Sequence, residues 1–194
     1  MADTSTTTSL VRSVGGAPAP QPGTYAIDKS HTTVEFVARH LMISKVRGRF
    51  TDYDGTVVIG EGPEDTSVEV SVDLSSVDTN DPKRDEHLRS ADFFEIDKHP
   101  RMSFKSTKVT QDGDGWKLIG DLTIREITRP LTLNVEFEGA ETTPWNTAAF
   151  GFSATGEIDR EEWGVSWNAA LETGGIVVGK KVKIELNVEL AAAS

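Results

Sequence analysis

The chain has no cysteine, which excludes a disulfide framework, a thiolate zinc site and a thiol nucleophile, and fits any redox compartment. It is also short of cations: 20 Lys and Arg stand against 31 Asp and Glu, for a formal net charge of −11. That balance repels phosphate backbones and anionic surfaces, so no nucleic-acid partner is expected. Hydrophobic runs are short, and no window approaches the roughly 18 consecutive apolar residues of a membrane helix. The opening MADTSTTTSLVRSVGGAPAPQPG has neither a basic start nor the apolar core of about 7–15 residues that a secretion leader needs. The expectation is a cytoplasmic protein without stable membrane insertion.

Chemistry-bearing residues are equally sparse. The four histidines, His31, His40, His87 and His99, show neither H-x-H nor i,i+4 spacing, so neither a metal nor a cofactor is expected. There is no Walker loop, no G-x-G-x-x-G between strand and helix, and no paired catalytic carboxylates. Asp28, Ser30 and His31 are the residue types of a hydrolytic triad. A triad is defined in space, however, and no G-x-S-x-G accompanies them, so no catalytic residue is assigned.

What the sequence does have is alternation. Residues 1–22, rich in Thr, Ser, Ala, Gly and Pro, hold too little apolar surface to offset the entropy of ordering and are expected to form a disordered tail. A single domain over residues 23–194 follows. From Gly23 onward, apolar residues recur at every second position. Val34, Phe36, Ala38 and His40 share one face, as do Val46, Gly48 and Phe50, and Val68, Val70, Val72 and Leu74. Trp116 to Ile124, Leu131 to Phe137, Phe150 to Ile158 and Val182 to Leu190 repeat the pattern.

With Met102 to Phe104, this predicts about eight strands of antiparallel sheet, each apolar on one side. Turn signals separate them at Tyr53-Asp54-Gly55, Gly60-Glu61-Gly62-Pro63, Asp112-Gly113-Asp114-Gly115 and Arg129-Pro130. The strands are long enough that closure into a barrel is favoured over a sandwich, because a barrel removes exposed edges. Gly48, Gly120 and Gly156 fall in inward register, where glycine marks either curvature or room for a ligand.

One stretch breaks the alternation: Asp78 to Phe104, DTNDPKRDEHLRSADFFEIDKHPRMSF. Asp81 before Pro82 is a helix start, with an N-cap acceptor and proline at the first helical position. A short helix over Lys83 to Ala91 is predicted, with Asp85 and Arg89 spaced to pair. So short a helix must dock, and Leu88, Phe93 and Phe94 are the groups to dock it. Two roles stay open for it, core packing and a lid.

This stretch carries a resemblance. N-D-P-x-R-D-x-H-L-R-S-x-D-F-F over Asn80 to Phe94, followed by His99-Pro100-Arg101-Met102-Ser103-Phe104-Lys105-Ser106-Thr107, is similar to the signature of the YceI-like family. Tyr25-x-Ile27-Asp28-x-Ser30-His31-x-x-Val34-x-Phe36 and His40-x-x-Ile43-Ser44-x-Val46-x-Gly48-x-Phe50 resemble its opening strands. Gly120-Asp121-Leu122-Thr123-Ile124 resembles its Gly-x-Leu-Thr-Ile strand, and Phe150-Gly151-Phe152 and Ile158-x-Arg160-x-x-Trp163-Gly164 resemble its later part. Glu126 stands where that family commonly carries glycine.

The resemblance implies an all-β, lipocalin-like antiparallel barrel with one short helical insertion. It implies a binder or carrier without catalysis, holding an amphiphilic lipid such as a polyisoprenoid, isoprenoid quinone or prenyl phosphate. The residues expected to line its interior are Val34, Phe36, Ala38, His40, Phe50, Val70, Val72, Phe104, Leu122, Leu133, Val135, Phe150, Phe152 and Ile184 from the strands. Leu88, Phe93 and Phe94 join them from the helical stretch, with Trp163 and Trp167 from the later loop. His40, Arg84, Arg89 and Arg160 are the head-group candidates, because a ring nitrogen or an arginine fork can meet a polar or phosphate head. A homodimer along the barrel strands is compatible with this reading, though no residue marks its interface.

Overall fold

The computed structural model describes residues 9–170 and 175–193. Its elements run β1 (Val11–Val14), β2 (Ala17–Pro20), β3 (Gly23–Ile27), β4 (Thr33–His40), β5 (Ser44–Phe50), β6 (Tyr53–Ile59), β7 (Ser67–Asp73), β8 (Val77–Asp78), α1 (Pro82–Arg89), β9 (Arg101–Asp112), β10 (Gly115–Ile124), β11 (Ile127–Thr142), β12 (Ala148–Asp159) and β13 (Val178–Ala192). Short 3₁₀ turns sit at Pro63–Asp65, Leu74–Ser76 and Arg160–Trp163. No helix among the described residues is long and apolar enough to cross a membrane.

β12 pairs with β13 as well as with β11, which closes the sheet into an antiparallel barrel of eight staves. Two staves are bent pairs. β3 and β4 both run along one edge of β13, and β6 and β5 lie beside them in turn. The bend falls at Asp28 to Thr32. There the Asp28 carboxylate accepts from the Ser30 backbone N–H at 2.8 Å, and it lies 2.9 Å from His31 Nδ1. Thr32 Oγ1 accepts from the Glu189 N–H at 3.0 Å. The residues that suggest a triad are thus a corner of the barrel.

The glycines in inward register make room for neighbours. A Cβ on Gly48 would stand 2.2 Å from Phe36 Cζ, and one on Gly120 would stand 2.4 Å from Phe104 Cζ. Each lets a ring lie flat across the next strand, so close approach explains them. The β9–β10 register also shifts between Ile119 and Gly120, where the wall bends.

Three expectations need correcting. First, Tyr53-Asp54-Gly55 lies inside β6. Second, Arg129-Pro130 lies inside β11, and the turn before that strand is made by Arg125 and Glu126 at φ 50 and 65. Pro130 is tolerated because β11 meets β12 only from Asn134 onward, so its missing N–H removes no bond on that side.

Third, the described part of the expected tail is a hairpin of β1 and β2. Its Ala17, Ala19 and Pro20 are buried. Arg12 Nη1 donates to the Glu61 carbonyl at 2.8 Å and Nη2 to that of Gly60, and Trp116 Nε1 donates to the Pro18 carbonyl at 3.1 Å. Small side chains and borrowed hydrogen bonds hold it, which is why composition reads it as tail. Residues 1–8 lie outside the described residues.

Candidate functional site

Because each stave presents its apolar face inward, the barrel surrounds a cavity of about 350 Å³. Val34, Phe36, Ala38, Phe50, Val70, Val72, Phe104, Leu122, Leu133, Val135, Phe152 and Ile184 all line it, as the alternation predicts. At one end the wall is completed by Leu88, Phe93, Phe94 and Trp163, and at the other by Val14, Ala19 and Pro20 of the hairpin. Polar groups are few: Arg12, Thr32, Glu35, Tyr53, Thr66, Ser103 and Arg160. None of the four histidines is among the lining residues.

The helical stretch docks as its sequence predicts. The Asp81 carboxylate accepts from the Lys83 and Arg84 N–H groups, the N-cap of α1. Phe93 is buried, and Phe94 lies 5.9 Å from the Phe50 ring. Asp85 does not pair with Arg89. It is buried and accepts from Thr79 N–H at 2.9 Å and from Thr79 Oγ1 at 2.5 Å. The neighbouring 3₁₀ turn adds Trp163, 2% exposed, whose indole N–H donates to the Leu122 carbonyl at 2.9 Å.

Several predicted site residues lie off the wall. His40 pairs with Val178 at the end of β4, while Ala38 pairs with Val182. β4 keeps its alternation against β5 as far as His40 opposite Ser44, so His40 misses the wall because it is the last residue of the strand, at the turn, beyond the lined stretch that ends at Ala38. Phe150 is buried against Tyr25, with ring centroids 5.1 Å apart. Trp167 packs between His87 and Phe93, at 4.6 and 5.3 Å.

Arg84 donates through Nε to Thr79 Oγ1 and through Nη2 to the Thr79 carbonyl, both at 2.7 Å. Arg89 donates to the Ser75 and Val77 carbonyls, both at 2.9 Å. These two arginines fasten α1 to the preceding turn and do not line the cavity. Sequence reading also missed the hairpin end, where the wall includes Arg12, Val14 and Trp116. The inward Trp116 was the one available signal for it.

Of the head-group candidates only Arg160 is on the wall. It is 5% exposed, and its guanidinium donates to the carbonyls of Gly179 at 3.0 Å, Val165 at 2.5 Å and Val178 at 3.3 Å. It has no salt-bridge partner among the described residues. Desolvation lowers its pKa, and the charges of Glu161 and Asp159 oppose that shift. The site is therefore a hydrocarbon-lined chamber with one buried cation near the helical end.

A family described as the YceI-like domain matches residues 25–190. The UPF0312 protein SAB2563 of Staphylococcus aureus is 38% identical over 170 residues, covering 86% of this chain and 96% of that protein. Among solved structures, BcnA of Burkholderia cenocepacia aligns with TM-score 0.73 at 19% identity, covering 84% of this chain and 98% of the other. The Campylobacter jejuni YceI protein aligns with TM-score 0.69 at 26% identity, over 80% and 90%. A polyisoprenoid binding domain from Saccharophagus degradans aligns with TM-score 0.62 at 15% identity, over 87% and 98%. The span of the match and the curated relatives, together with the barrel and its docked helix, establish that this chain belongs to the YceI-like family.

Proposed function

We propose that the protein binds a long-chain amphiphilic lipid of the polyisoprenoid kind, with its tail inside the barrel, and stores or carries it in the cytoplasm. The observation that carries this reading is the chamber of about 350 Å³ lined almost wholly by hydrocarbon. Protein interiors are close-packed, and voids larger than a water are few. An opening this size forgoes dispersion contacts along its whole wall unless something fills it. It also falls within the range of small-molecule sites, roughly 300–1,000 Å³. An alkyl tail gains up to about 0.8 kcal/mol for each CH₂ removed from water. The Saccharophagus neighbour described as a polyisoprenoid binding domain supports the choice of lipid class. We place the polar head toward Arg160, the buried cation on the wall.

Native mass spectrometry of gently purified protein tests the reading. It should show a hydrophobic adduct, and the emptied protein should take up a fluorescent prenyl lipid. Ile184→Trp, which fills the chamber from β13, is expected to weaken that uptake by at least about tenfold, the equivalent of losing two or three buried CH₂ groups. Protein that is repeatedly empty and takes up no prenyl lipid refutes it.

A further inference from the structure

The turn between β4 and β5 lies outside the chamber and presents a different surface. Ile43 is 81% exposed and Met42 is 56% exposed. The turn closes with the Ile43 N–H donating to the His40 carbonyl at 3.1 Å. Leu41 and Met42 both stand at left-handed φ, 51 and 60. Tight turns with two such residues ordinarily use Asn or Gly there. Here the strained positions carry apolar side chains, and strain of that kind collects at functional surfaces.

The surroundings are basic on a chain whose formal net charge is −11. Arg39 stands directly across from Lys45 in the β4–β5 pair, an arrangement of like charges that is unfavourable on its own. Lys183 lies on β13, the strand next to β4, opposite Val37, which in turn faces Arg47. Neighbouring cations are neutralised: Lys180 by Glu161 at 2.7 Å, Lys181 by Glu157 at 3.8 Å, and Arg47 by Glu185. Arg39 and Lys45 have no such ion pair among the described residues, whereas Lys183 stands across from Glu157 on β12. The patch is close-knit: the point where a Gly179 Cβ would sit is 3.1 Å from Arg39 Cβ and 3.7 Å from Met42 Sδ.

We infer that the Leu41–Ile43 turn docks the barrel on an anionic lipid bilayer, with Met42 and Ile43 entering the headgroup boundary and Arg39 and Lys45 over the phosphates. Charge complementarity selects the occupant: apolar side chains flanked by uncompensated cations are the pattern of an interfacial anchor. Charges more than about 8 Å apart are largely screened at physiological ionic strength, so this patch rather than the net charge governs contact. The position gives the docking a use, since Ala38, Val178 and Arg160 line the chamber and Val178 pairs with His40 beside the turn. The docking stands whatever fills the chamber.

Flotation of the full chain with unilamellar vesicles tests it, comparing phosphatidylcholine alone with phosphatidylcholine containing phosphatidylglycerol. The protein should float with the anionic vesicles and not with the neutral ones, and high salt should release it. Ile43→Ser should lower partitioning by at least about tenfold, the loss of one buried aliphatic side chain. Arg39→Gln combined with Lys45→Gln should lower it by about thirtyfold, two cations at an anionic surface. Trp145→Ser, at an exposed apolar residue (81%) in the turn between β11 and β12, should leave it unchanged.

Thermal unfolding checks that each variant keeps the wild-type fold. Absence of flotation with anionic vesicles overturns the inference. So does flotation insensitive to Ile43→Ser and the paired glutamines, or flotation lost in Trp145→Ser instead. A change from dimer to monomer in Ile43→Ser, without vesicle binding by the wild type, overturns it in favour of self-association.

Discussion

At one end of the barrel the chamber stops against Phe93, Phe94 and Trp163, and at the other against Val14, Ala19 and Pro20. The first end is an interlock of large rings pinned by side-chain bonds to backbone. Trp163 donates to Leu122, Arg89 to Ser75 and Val77, and Arg125 to Phe93 at 3.2 Å and Gly164 at 2.9 Å. The second end is a hairpin of small residues held by Arg12 and by the Trp116 indole. The helical end falls within residues 25–190, which match the family, and the hairpin precedes them. The difference teaches that one stopper is part of the barrel's core, while the other is laid onto it.

The comparison is sharpest in stability. Trp163→Ala, at a side chain 2% exposed, should cost about 3–5 kcal/mol in urea denaturation, the usual range for truncating a buried tryptophan. Truncation just before Gly23 removes the hairpin, whose docking rests on a few hydrogen bonds and little apolar area, and should cost only about 1–3 kcal/mol. The same truncation should speed loss of bound lipid to a trap in solution, while leaving flotation with anionic vesicles unchanged. Truncation more damaging than Trp163→Ala would break the comparison and make the hairpin part of the core.

A smaller effect tests how tightly the helical end is built. Arg125 and Glu126 turn β10 into β11 at left-handed φ, and Arg125 ties Phe93, Gly164 and Glu95 together. Glu126→Gly should relieve strain at a position that makes none of those bonds. A gain of about 0.5 kcal/mol is expected, since relief of the left-handed cost is partly offset by the greater freedom of unfolded glycine. A loss of stability would mean that the Glu126 side chain contributes to the helical end.

The helical end and most of the wall were legible in the sequence because apolar alternation and the Asp81-Pro82 cap are local signals. The hairpin was not legible, because Ala17, Ala19 and Pro20 carry too little hydrophobicity to stand out from a tail. His40 was misplaced because alternation gives the face of a strand and not the point where it leaves the wall: β4 stops at His40, and its end leaves no trace in the alternation itself. Arg84 and Arg89 looked like head-group ligands for a similar reason. Their acceptors are mainly backbone carbonyls, and a carbonyl is the same at every position of a sequence.

The smallest effect concerns the corner at Asp28 and His31, which lies in the bent stave and belongs to neither stopper. Hydrogen bonds from Ser30, then from His31, hold the Asp28 carboxyl down to about 2. The Asp28 hydrogen bond, helped by the charge of Glu189, raises His31 above its ordinary 6.5. The two signs run in opposite directions. Asp28 contributes stability that is present above its unfolded value of 3.8 and is lost as pH falls toward about 2. His31 contributes stability that is present below 6.5 and is lost as pH rises through its raised value. The corner is therefore tightest between those limits, and the contribution is small because the His31 side chain is 63% exposed. A proton-resonance titration of His31 should give a midpoint above 6.5 that returns toward the ordinary value in Asp28→Asn, with the acid limb of the stability curve flattened in the same variant. An unshifted midpoint would mean that the Thr32 hydroxyl and the Asp28 N–H, both bonded to the Glu189 backbone, hold the bend without the charge pair, and that the corner is indifferent to pH.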